Sequence, residues 1–173
     1  MDLKASDITA IAISAAFWSI LNAILAPIFW QLTRLPILCD FLASISLILA
    51  TWWVRKPGTA TLVGFLATVL NFILRPGAMH FLGFTVASVV LDVLLWILGY
   101  SRCFSRTYRS ALVVAAGTVS TWVAGLIIGA FFMPGVSLLY FSTLHALGGF
   151  IGAVIAVLLV KAVEKRGIKP LRA

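Results

Sequence analysis

"RKPGTATLVGFLATVLNFILRPGAMHF", Arg55 to Phe81, places one apolar run between two nearly identical stops. Lys56-Pro57-Gly58 precedes the run and Arg75-Pro76-Gly77 follows it. Proline cannot continue a helix and glycine accepts turn conformations, so each triplet ends one helix and turns the chain. The run between them, Thr59–Leu74, lacks the two-residue alternation of a barrel strand. It reads as a short helix through an apolar layer, with a basic turn at each end.

Runs of the same kind lie on both sides. Ile8–Trp30, Leu35–Val54, Ala78–Tyr100, Ser110–Phe132 and Leu138–Val160 are each about long enough to cross roughly 30 Å of hydrocarbon at 1.5 Å per residue. Leu35-Pro36 separates the first two, and Met133-Pro134-Gly135 the last two. The chain is 62% hydrophobic and 10% charged, far from the composition of a water-soluble domain. Its mean hydropathy is +1.13. The expected fold class is an all-α integral membrane protein with six transmembrane helices, forming one domain over residues 1–173. Further apolar runs follow the first, so that run is not read as a cleaved leader.

The 13 Lys and Arg residues orient the spans. Eleven fall on one side: Lys4, the Arg55-Lys56 turn, Arg102, Arg106 and Arg109, and a tail bearing Lys161, Lys165, Arg166, Lys169 and Arg172. Only Arg34 and Arg75 fall on the other. By the positive-inside rule both termini are cytoplasmic, which agrees with an even number of spans. The expected location is the cytoplasmic membrane. The net charge of +8 is then explained by anionic headgroups and orientation, and no nucleic-acid partner is implied. Cys39 and Cys103 fall on opposite sides, which excludes a disulfide or a shared metal site.

With this topology, most polar residues of the spans gather in the external half. Trp30, Gln31, Asn71, His80, Thr85, Trp122, Ser142 and His145 are the candidate substrate-binding residues. Aromatic walls with a few amide, imidazole and hydroxyl groups suit a small heteroaromatic ligand. Each has a second reading. Trp30 fits an interfacial belt, His80 fits a headgroup layer, and Asn71 and His145 fit interhelical hydrogen bonds. Arg34 and Asp40 are read as a surface pair, and Arg75 as a residue in water or headgroups. Asp92 is the one acid deep in a span. It is either a proton or cation site or, as favoured here, a structural or inter-subunit hydrogen-bonding group.

No catalytic set, metal-ligand spacing or nucleotide-binding loop is legible, so the chain is read as a non-enzyme without a cofactor. Small residues recur at four-residue spacing on the first span, at Ala12 and Ala16 and at Ala15, Ser19 and Ala23. The last span has Gly148, Gly149, Gly152 and Ala156. In lipid such stripes allow close helix contact, either inside the bundle or with a second membrane protein.

The stretch Ala12-Ile13-Ser14-Ala15-Ala16, the six short spans and the external polar cluster resemble the S components of energy-coupling factor (ECF) transporters. Val54-Arg55-Lys56-Pro57-Gly58-Thr59-Ala60, followed by Asn71 to Gly83, is most similar to the YkoE-type hydroxymethylpyrimidine/thiamine members, which have a similar RKPG turn and a G-x-x-x-G style opening of a helix. The likeness covers the whole chain as architecture and residues 35–92 as sequence texture.

The resemblance implies a vitamin-binding subunit that works with a transmembrane T subunit and two cytoplasmic ATPase subunits. Ala12 and Ala16 would form the docking pair. Substrate would lie near Trp30, Gln31, His80, Thr85, Trp122 and His145. The external half of the last three spans contains no acid, so a cationic thiazolium would have only Asp40 or the tryptophan faces as partners, and a neutral pyrimidine fits at least as well. The principal competing expectation is a small proton-coupled secondary transporter acting as an oligomer. An embedded enzyme using His80 and His145 ranks behind it.

Overall fold

The computed structural model describes residues 3–100 and 102–171; Arg172, counted above in the basic tail, lies outside them. The described residues form six α-helices and no strand. These are α1 (Ala5–Thr33), α2 (Ile37–Val54), α3 (Thr59–Leu74), α4 (Phe81–Leu98), α5 (Thr107–Phe131) and α6 (Leu138–Lys165). All but α3 are long and apolar enough to cross a membrane. With 16 residues, α3 reaches only about 24 Å at the α-helical rise.

The breaks follow from the turn residues. Arg34 and Arg55 adopt left-handed conformations at the ends of α1 and α2, each donating its N–H back to the preceding turn, to Trp30 and Thr51. Gly58 is also left-handed, with φ of 89°, a region that glycine enters without Cβ strain. At the start of α1, the Lys4 N–H donates to the Asp7 carboxylate at 2.9 Å and satisfies an otherwise free helix-start donor.

Contacts run around a closed ring in the order α1, α3, α4, α5, α6, α2 and back to α1. Helix α2 also leans inward to reach α3 and α5 and is the most buried of the long helices. Helices in lipid gain little from apolar burial, so close backbone approach and interhelical hydrogen bonds must hold them together. The α6 stripe provides the close approach. A Cβ on Gly152 would stand 2.5 Å from the Phe41 carbonyl, and one on Gly149 would overlap Thr121. This stripe is therefore used within the bundle, against α2 and α5.

The α1 stripes divide. Ala15 and Ser19 face inward, and the Ser19 hydroxyl donates to the Ala67 carbonyl on α3 at 3.1 Å. Ala12 is exposed and Ala16 half-exposed, on the outer face with Ile13, Phe17 and Ile20. Trp18 is fully buried and reaches across to α4, where its ring meets Phe81 and Phe84.

The end of the bundle that carries both chain termini and the α2–α3 and α4–α5 connections is closely tied. Glu164 on α6 accepts from Trp52 Nε1 at 2.8 Å and pairs with Arg55 at 3.5 Å. Lys56 meets Asp7 at 2.9 Å. Asp92 accepts from the Gly58 and Thr61 N–H groups at 2.9 and 2.8 Å and from the Tyr100 hydroxyl. Its carboxylate thus caps α3 from the neighbouring helix.

Candidate functional site

At the other end of the bundle, the end of α1, the start of α2 and the 75–80 and 132–137 connections surround a cavity of about 330 Å³. That size suits a small-molecule site. Local sequence opens it. Pro27, inside α1, has no N–H to offer the Ala23 carbonyl, and it lines the cavity with Ala26 and Trp30. Leu35-Pro36 brings the chain over the top to Leu38 and Cys39. Phe84 and Phe141 supply aromatic wall from α4 and α6.

Its deepest polar group is an aspartate–histidine pair. His145 on α6 is 2% exposed and Asp40 on α2 fully buried. His145 Nδ1 lies 2.9 Å from one Asp40 carboxylate oxygen and 2.8 Å from the other. With Asp40 ionised, the carboxylate accepts and the shared proton belongs to Nδ1. Nε2, on the opposite edge of the ring, is buried and has no hydrogen-bond partner among the described residues. The ring is held on three sides: Phe141 stands edge-on at 4.7 Å, Phe84 at 6.0 Å, and a Cβ on Gly125 would lie 3.0 Å from His145 Cδ2.

The surface Arg34–Asp40 pair expected from sequence gives way to this arrangement. Arg34 is exposed at the helix end, whereas Asp40 faces inward and pairs with the His145 imidazole. Arg75 is also placed differently from the expectation. It is half-buried and lines the cavity, and among the described residues it is the only permanently charged one that does so.

The eight candidate residues divide evenly by position. Trp30, Gln31, His80 and His145 line the cavity. The other four do not. Thr85 shares a 2.6 Å hydrogen bond with Thr68 between α4 and α3. Asn71 donates to the Ala67 carbonyl of its own helix at 2.9 Å. Ser142 is fully buried and donates to the Leu139 carbonyl at 3.1 Å. Trp122 is on the outer side of α5, 37% exposed.

One turn below the cavity lies a second set of polar groups. Asn22 precedes the lining residue Ala26 by four residues, and Asn71 precedes Arg75 by four. Both asparagines are fully buried. Neither amide atom of Asn22 has a partner, nor do Asn71 Oδ1 and Trp18 Nε1. Sequence reading missed Asn22, Phe84, Phe141 and the lining role of Arg75. The asparagine was the one with a signal, since an amide in the middle of an apolar run is costly unless it is used. Among the described residues, no group of three or more histidine, cysteine or acidic side chains is arranged to hold a metal, and both cysteines are free.

The chain matches no protein-family model, no curated protein and no solved structure.

Proposed function

We propose that this chain is the substrate-binding S subunit of an ECF-type vitamin importer. It sits in the cytoplasmic membrane with six spans and both termini inside. The cavity opens to the external face and takes a small heteroaromatic vitamin or precursor of the hydroxymethylpyrimidine/thiamine kind. A transmembrane T subunit and two ATPase subunits would supply transport, docking on the Ala12–Ala16 face. The observation that carries this reading is the cavity of about 330 Å³, aromatic-walled and at the end of the bundle opposite the Arg55-Lys56 turn and the Arg102–Arg109 connection. The outward position of Ala12 on α1 adds support, because a docking face has to be free of internal packing.

The test is binding, followed by assembly. The purified chain is titrated with thiamine, hydroxymethylpyrimidine, riboflavin and biotin while its tryptophan emission is followed; Trp30 in the cavity wall is the reporter. Saturable quenching at micromolar ligand or below, and ATP-dependent uptake only when T and ATPase subunits are co-expressed, is the expected result. Uptake by the chain alone, driven by a pH gradient and lost in Asp92→Asn, would favour the proton-coupled transporter instead. The three donors that Asp92 already accepts support a capping role over a proton relay.

A further inference from the structure

We infer that the cavity selects a planar heteroaromatic acid, one of whose N–H donors meets His145 Nε2 and whose anionic substituent meets Arg75. This deepens the binding-subunit reading and rests on it. Three observations carry it. The first is the bare Nε2. With Nδ1–H committed to Asp40, the neutral form of the ring presents Nε2 as an acceptor, and that atom is buried, unpartnered among the described residues and part of a residue lining the cavity. A ligand donor is its natural complement.

The second is how firmly this acceptor is positioned. A Cβ on Gly125 would stand 2.8 Å from His145 Cβ, and one on Gly148 would stand 3.0 Å from Asp40 Cβ. Both partners of the pair are thus held against helix backbone, and Nε2 is set before any ligand arrives.

The third is the sign of charge. Arg75 lines the cavity, whereas the nearby acid, Asp40, is spent on His145 and does not line it. A guanidinium with no facing carboxylate favours a carboxylate or phosphate, which it can bind with two parallel hydrogen bonds, and disfavours a cation. Phe84, Phe141 and Trp30 provide faces for one flat ring system between these two points.

The experiment uses matched probes on the full-length purified chain. Orotate and uracil differ by a carboxylate, and hydroxymethylpyrimidine phosphate and hydroxymethylpyrimidine differ by a phosphate. Ring N-methylated orotates remove a donor, and thiamine tests a cation. Affinities are read by tryptophan quenching, with ligand-free melting temperature as the folding control. The expected result is that an acid binds at least tenfold tighter than its neutral partner, and that N-methylation at one ring position costs at least tenfold. Arg75→Gln should erase the acid preference while leaving the affinity of the neutral compound unchanged. Tight orotate binding would identify carboxylate as the anion; tight binding of only the phosphate ester would identify phosphate. If neutral or cationic members bind as tightly as acids and Arg75→Gln changes nothing, the inference is overturned and the binding-subunit reading stands. If no member binds, the binding-subunit reading fails and the inference fails with it.

Discussion

The two ends of the bundle treat polar groups in opposite ways. At the end with the Arg55-Lys56 turn, most polar side chains pair with one another, although Arg55 Nε is buried without a partner. Asp92 takes three donors, Glu164 takes Trp52 and Arg55, and Lys56 meets Asp7. At the cavity end and just below it, His145 Nε2, both amide atoms of Asn22, Asn71 Oδ1 and Trp18 Nε1 are buried without partners. A buried polar atom without a partner costs about 1–3 kcal/mol. Folded proteins keep few such atoms, and each calls for a cause such as strain, a bound water or ion, or a functional role. The first end is therefore the more completely paired, and the second keeps most of the unpartnered buried polar atoms among the described residues.

The contrast predicts opposite responses to substitution. Asp92→Ala should destabilise most, by about 3 kcal/mol, because it orphans two backbone N–H groups and a hydroxyl. Thermal unfolding in detergent would show it, and Asp92→Asn should recover part of the loss. An unchanged melting temperature in Asp92→Ala would break the comparison at its firm end. Gly152→Ala should cost about 2 kcal/mol, since its Cβ would meet the Phe41 carbonyl at 2.5 Å and push α6 from α2. Asn22→Leu should go the other way and stabilise the ligand-free protein by about 1 kcal/mol, because it removes two unpaired polar atoms from the interior. A loss of stability there would mean that the chain itself satisfies this amide. Ala12→Leu should move the stability of the isolated chain by less than about 0.5 kcal/mol, as expected for an outward position. On the proposed docking role, the same change should weaken co-purification with a T subunit, which would sharpen the distinction between a lipid-facing surface and a docking one.

The limits of the sequence reading have a physical cause. The six helices were legible because apolar length and proline–glycine turns are local signals, and α3 carries the expected bounds. Elsewhere the ends moved by a few residues: α6 runs on to Lys165, because nothing before Gly167 stops it. The cavity was legible only in part. His145 and Asp40 lie 105 residues apart, and no local pattern announces their pairing. Arg75 was read from its turn alone, and a turn does not tell which way a long side chain folds. Phe84 and Phe141 were hidden because apolar residues carry no contrast in an apolar chain. Thr85 and Ser142 were chosen for their polarity, but in a helix a hydroxyl can bond its own backbone and needs no ligand.

The Asp92 cap also bears on the order in which the chain enters a bilayer. The first N–H groups of α3 have no acceptor in their own helix, and the carboxylate they donate to lies on the following helix. The shortest helix therefore cannot be settled on its own as it is synthesised. It has to wait for α4 to bring Asp92 and Tyr100 alongside, so α3 and α4 should insert together as a hairpin. A chain ended after residue 90 should leave its third segment poorly inserted, and one ended after residue 104 should anchor it.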